Sequence, residues 1–147
     1  MKMDDGFIEV NDLDFFASFI NGVLAHFATG GRGFVPASIR NSVSDYELVY
    51  EYILSLHDDY EFEVVEVNIP TFSTTAQRDR YLKSFVSMAK KGLYSYDVFR
   101  DGYRLIAVPR KGRNSSELPA RVKMALSALS LASNENTRCI NKCSFAK

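Results

Sequence analysis

The chain has 147 residues and zero formal net charge, with 46% apolar and 24% charged residues, 11 Phe, 8 Tyr and no Trp. That is the length of one domain, with enough apolar and aromatic mass to build a core without staples, and it excludes disorder over most of the chain. Met1-Lys2-Met3-Asp4-Asp5 does not open a signal peptide and no apolar run nears the roughly 18 residues of a membrane span, so the expectation is a cytoplasmic chain with no membrane partner.

Zero net charge conceals a split. Residues 1–69 carry Lys2, Arg32 and Arg40 against thirteen Asp/Glu, a net of −10. Residues 70–147 carry fifteen Lys/Arg against five acids, a net of +10. Such asymmetry points to a charged partner, unless folding lays the halves against each other.

In chain order, Leu13, Phe16, Ile20, Val23 and Phe27 recur at helical spacing, widened by Phe15, Phe19 and Leu24. They predict an amphipathic helix over 12–29, capped by Asn11 and stopped by Gly30-Gly31. A loop with a short helical turn near 37–41 follows. Ser44 and Glu47 read as a capping box for a helix to about Leu56, with Val49, Tyr52, Ile53 and Leu56 inward. Residues 61–69 read as a strand whose side-chain phase shifts by one, predicting a bulge near Val64-Val65. Pro70 ends it. Thr74 with Gln77 opens a helix to Lys91, closed by Gly92, with Leu82, Phe85, Val86 and Ala89 inward. Asp101-Gly102, between the apolar runs 93–100 and 103–109, predicts a hairpin with a type I′ turn. After a basic loop over 110–114, Ser115 or Ser116 caps a last helix over roughly 117–132, with Val122, Ala125, Leu126 and Leu129 on one face.

This order predicts an α+β domain over 1–133, with a small antiparallel or mixed sheet of at least three strands, including the 93–109 hairpin, packed with about four helices. Residues 134–147 are polar and aperiodic and read as a flexible C-terminal tail.

The motifs for chemistry are thin. His26 reads as a structural histidine beside the apolar stripe of its helix. His57-Asp58-Asp59 ends the second helix, where an imidazole suits the negative end of the helix dipole. Cys139 and Cys143 are four apart with no histidine close by, so neither a disulfide framework nor a zinc site is expected. No Gly-x-Ser-x-Gly elbow is present. Thr29-Gly30-Gly31-Arg32-Gly33 lacks the Lys-Ser/Thr of a phosphate loop and reads as a helix stop. No catalytic residue, metal or cofactor is predicted, and the sequence leans away from an enzyme.

Two binding readings remain. Asp45, Glu47, Glu51, Asp58, Asp59, Glu61, Glu63 and Glu66 crowd into 22 residues without a Lys or Arg. A surface built from them would steer onto a basic protein, such as a nuclease or nucleoprotein complex. The leading reading is therefore a non-enzymatic inhibitor, immunity-type or counter-defence protein. Its predicted contacts are Asp45, Glu47, Tyr50, Glu51, Asp58, Asp59, Glu61 and Glu63, with Tyr46 and Tyr60 as further anchors. The alternative is nucleic-acid binding by a winged-helix-like helix and hairpin over 78–123, through Arg78, Arg80, Lys83, Lys90, Lys91, Arg110, Lys111 and Arg113. Self-association of acidic on basic surface is a third arrangement.

Overall fold

A computed structural model describes residues 2–11, 13–126 and 139–141. Two hairpins organise them. The first is β1 (Asp14–Ser18) with β2 (Leu24–Ala28), paired so that Phe15 faces Phe27 and Phe16 faces His26. This overturns the helix expected over 12–29. Asn21-Gly22 decides the matter: the Gly22 amide donates to the Phe19 carbonyl at 2.8 Å, closing a β-turn, and Gly22 takes φ +89°. A type I turn followed by a glycine in the left-handed region is a standard three-residue hairpin loop. Both faces of these strands are covered, so consecutive residues Phe15, Phe16 and Ala17 are all buried. A strand buried on both sides reads as an unbroken apolar run, which periodicity does not separate from a broad helical stripe.

The second hairpin joins β4 (Tyr94–Phe99) to β5 (Gly102–Pro109). Its loop is Arg100-Asp101, one residue earlier than expected, because Phe99 pairs directly with Gly102. Arg100 carries the positive φ, 55°. A type I′ turn needs positive φ at both loop positions, so that expectation is corrected. A register shift lies between Ser95 and Tyr96.

The sheet order is β1-β2-β4-β5-β3, with β3 spanning Phe62–Val64. Neighbours are antiparallel except β2 and β4, which run parallel. A sixth strand, β6 (Cys139–Asn141), pairs with the opposite end of the β5 edge that β3 uses. The remainder of 134–147, with Cys143, lies outside the described residues, as does Leu129. The expected strand over 61–69 is cut short: beyond Val64 the chain forms a 3₁₀ turn at Glu66–Asn68 instead of a bulge. The Val65 amide still donates to the Ile106 carbonyl, and the Asn68 side chain donates to the Leu105 carbonyl. Two single bonds thus replace the missing ladder.

Helices cover the sheet. α1 (Asp5–Asn11) and α2 (Ala37–Arg40) are short. α3 (Val43–Leu54) is capped by Ser42, whose hydroxyl accepts from the Asp45 amide, so the Ser44–Glu47 box is not the cap used. α4 (Thr75–Lys90) begins at Thr74 as its sequence indicates, with the Thr74 hydroxyl accepting from the Gln77 amide. Leu82, Phe85 and Ala89 of α4 pack on Ile106 and Ala107 of β5. Asn114, not Ser115 or Ser116, is the cap: with Glu117 it forms a capping box that opens a 3₁₀ turn at Ser115–Glu117, and α5 (Ala120–Leu126) follows Pro119. Val122 and Leu126 of α5, Val49 and Ile53 of α3, and Phe16 and Leu24 of the first hairpin share one cluster. The other face of the sheet carries Phe15, Phe27, Tyr96 and Tyr103, all fully buried, with Met3, Ile8 and Val35 packed into the same cluster. No helix among the described residues is long and apolar enough to cross a membrane.

The first turn is also held from outside. Asn114 donates its side-chain amide to the Asn21 carbonyl, and the Ser115 amide donates to the Gly22 carbonyl at 2.7 Å. A Cβ on Gly22 would lie 2.7 Å from the Asn114 Oδ1 atom. Gly22→Ala is therefore expected to cost about 2 kcal/mol, read as a lower urea midpoint at unchanged slope. An unchanged midpoint would contradict this turn.

Candidate functional site

Five of the eight predicted nucleic-acid contacts are engaged within the fold. Lys91 is buried and its Nζ donates to the Leu56 carbonyl at 2.8 Å, closing off the end of α3. Arg113 donates to the Lys91 carbonyl at 2.9 Å and stacks over the Tyr60 ring at 4.9 Å. Arg78 grips both carboxylate oxygens of Glu66 at 2.7 Å, and Arg110 pairs with Glu61 at 2.8 Å. Lys90 lies over the Phe62 ring. Arg80, Lys83 and Lys111 are exposed with no ion pair among the described residues. The helix and hairpin of the alternative reading pack against each other. The hairpin is the centre of the sheet, flanked by β2 and β3, and α4 lies flat on its face.

The acids divide into two groups. Asp58, Asp59, Glu61 and Glu63 are exposed around β3, among cations. Asp58 shares a cleft with Arg78, Lys83 and Lys90, and Asp59, Glu61 and Glu63 share one with Arg110. The second group is on α3. Glu47 and Glu51 lie one turn apart, exposed, with no ion pair among the described residues. Like charges at this spacing repel by a few tenths of a kcal/mol. Asp45 is also exposed but lies toward α5, near Ala125 and Leu126.

Beside Glu47 runs a groove of about 470 Å³ lined by Phe7, Leu13, Asp14, Val43, Tyr46, Glu47 and Tyr50. No Lys or Arg lines it. The Tyr46 and Tyr50 rings are 5.8 Å apart, and Tyr50 in turn packs on Phe16 at 6.0 Å. Burial pushes the Tyr46 phenol well above its ordinary range, and the charges of Asp14, Tyr50 and Glu47 push it further. No hydrogen bond among the described residues engages its hydroxyl.

Asp14 is held in place from beneath. Its Oδ2 lies 2.9 Å from His26 Nε2, and His26 Nδ1 lies 2.6 Å from the Ser95 hydroxyl. His26 and Ser95 are fully buried, whereas the Asp14 side chain is 28% exposed. These letters match a Ser-His-Asp triad, but the hydroxyl is at the closed end, out of reach of any substrate. The chain of contacts positions a carboxylate at the groove. His26 is thus on a strand, and is not the helical residue the periodicity implied.

The remaining motifs are absorbed locally. The 29–33 loop follows β2, not a helix. Its Gly31, Arg32 and Gly33 amides all donate back to Thr29 and so are turned away from a phosphate. His57 is exposed, three residues beyond α3. Among the described residues, no three His, Cys, Asp or Glu side chains are gathered to hold a metal ion. Asp14 and Phe7 of the groove were not legible as site residues, because a helix over 12–29 gives Asp14 no particular neighbour. The Asn21-Gly22 turn was the available signal.

No protein-family model matches the chain, and no curated protein or solved structure shows a significant match.

Lys91→Met is expected to destabilise the fold by about 2 kcal/mol, as loss of a buried charged donor from the partly buried Leu56 carbonyl does, and to leave affinity for DNA and RNA unchanged. A fall in nucleic-acid affinity at unchanged stability would return Lys91 to a binding role. A second test uses Asp97, whose carboxyl is raised from 3.8 chiefly by burial, against the opposing hydrogen bond from the Tyr81 hydroxyl and the Arg104 charge. The folded state then holds that proton more tightly than the unfolded chain, so stability falls as pH rises above 3.8 through the raised folded value. Asp97→Asn removes this slope. Its stability relative to the parent should rise as pH climbs above 3.8 in paired denaturation curves, and a flat difference would count against the burial.

Proposed function

We propose that this protein is a non-enzymatic binding domain, an inhibitor or regulator that docks on a basic, nucleic-acid-handling protein through the acidic side of α3. One observation carries the reading. Glu47 and Glu51 stand without an ion pair among the described residues beside a groove holding Asp14, Tyr46 and Tyr50, whereas Arg78, Lys91, Arg110 and Arg113 of the basic half are engaged internally. Uncompensated like charge costs folding free energy, and a cationic partner relieves it. Tyrosines at the rim supply apolar contact area with a polar tip, as protein interfaces favour. Within the acidic set, this reading rests on Glu47, Tyr50 and Glu51; Asp45 flanks the contact with α5, Asp58 shares a cleft with three cations, and Glu61 is paired with Arg110.

The double variant Glu47→Gln/Glu51→Gln separates function from stability by sign. It should fold as well as the parent or a few tenths of a kcal/mol better, because a like-charge pair is removed. In paired pull-downs after nuclease treatment it should retain roughly tenfold less of the basic partner, and the parent's retention should fall steeply between roughly 0.05 and 0.3 M salt. Equal retention by the two proteins would refute this reading. Recovery of nucleic acid alone would do the same.

A further inference from the structure

The groove beside α3 has the composition of a cation receptor as well as an acidic rim. We propose that it receives an arginine side chain of the basic protein partner, the guanidinium lying against Tyr46 and Tyr50 and between the carboxylates of Asp14 and Glu47. This rests on the acidic-surface reading above and names the chemistry recognised.

Four observations converge. Aromatic rings come from α1 and α3: Phe7, Tyr46 and Tyr50. Ring faces attract a cation, most strongly where water is partly excluded. Carboxylates come from β1 and α3, and no cation lines the groove to neutralise them. Asp14 is fixed by the buried His26–Ser95 pair beneath it, so its carboxylate is oriented before any ligand arrives. The Tyr46 hydroxyl has no hydrogen-bond partner among the described residues and is free to meet one. The planar guanidinium suits this set better than an ammonium. It stacks on rings and forks onto a carboxylate, whereas a lysine head is a strongly hydrated point charge.

The test titrates the full chain with acetyl-tetraarginine-amide and acetyl-tetralysine-amide, following backbone amide shifts and affinity. The tetraarginine peptide should perturb Val43, Tyr46, Glu47 and Tyr50 and bind more tightly than tetralysine. Tyr50→Leu should weaken tetraarginine by about fivefold, and Tyr50→Phe, which keeps the ring face, should restore it. Glu47→Gln, at an exposed position, should weaken it several-fold without touching the core, which keeps the test alive if Tyr50→Leu folds poorly. Parental affinity in both Tyr50→Leu and Glu47→Gln would overturn the groove as receptor. Equal affinity for the two peptides would overturn the guanidinium. If Glu47→Gln/Glu51→Gln loses tetraarginine while folded Tyr50→Leu keeps it, the receptor fails and the acidic surface stands. If none of these variants loses affinity, both fail.

Discussion

A ladder of rings across three strands holds this fold together. Phe15 on β1 faces Phe27 on β2, and Phe27 faces Tyr96 on β4, with ring centroids 4.9 and 5.0 Å apart. Tyr103 on β5 closes edge-on against Phe15 and Phe27. Each such ring removes a large apolar area from water, and each well-oriented pair adds about 0.5–1.5 kcal/mol to that. The ladder also fixes register, because a slip of one residue would turn these rings onto the helix face. Tyr103 carries the order outward: its hydroxyl donates to the Phe34 carbonyl at 2.6 Å and pins the loop after β2. With the register set, the alternate residues have no freedom. Asp14, Phe16, His26 and Ser95 must face the helices, and so Asp14 arrives at the groove beside α3.

Charge separation along the chain did not become charge separation in space. Arg78 meets Glu66 and Arg110 meets Glu61, each pair joining the acidic half to the basic half. Exposed pairs of this kind add little stability, typically under about 1 kcal/mol. Their effect is on the surface potential, since they neutralise Glu61 and Glu66 while Glu47 and Glu51 of α3 have no ion pair among the described residues. Burial decides the fate of Lys91 and Arg113 in a similar way. Their donors are needed by the carbonyls at the ends of α3 and α4, and a cation so engaged has little left for a phosphate.

What the sequence revealed depended on how local the signal was. The Thr74 cap, the closing Gly92 and the inward stripe of α4 were readable because caps and 3.6-residue periodicity act within a few residues. The α+β class and the 93–109 hairpin were readable for the same reason. The first hairpin was not, since its strands are buried on both faces and mimic a wide helical stripe; only Asn21-Gly22 argued otherwise. The strand at residue 62 ended early because Asn68 reaches back to Leu105, a contact 37 residues away. The acids on α3 were visible as letters. Their distinction from the acids near β3 was not, because it depends on which cations fold beside them.

The parallel pairing of β2 with β4 has a kinetic meaning. Each hairpin closes a loop of two or three residues, whereas the His26–Ser95 contact on this seam joins positions 69 apart. Closing so long a segment costs about 3 kcal/mol more chain entropy than closing a hairpin turn. The two hairpins can therefore form early and independently, and the seam zips only when they meet. During synthesis the first hairpin leaves the ribosome with the β2 edge bare, bearing Ala25 and Phe27, and it stays bare until some seventy further residues have been made. In that interval the strand edge is a template for another copy of the chain, a hazard that the stability of the finished fold does not remove.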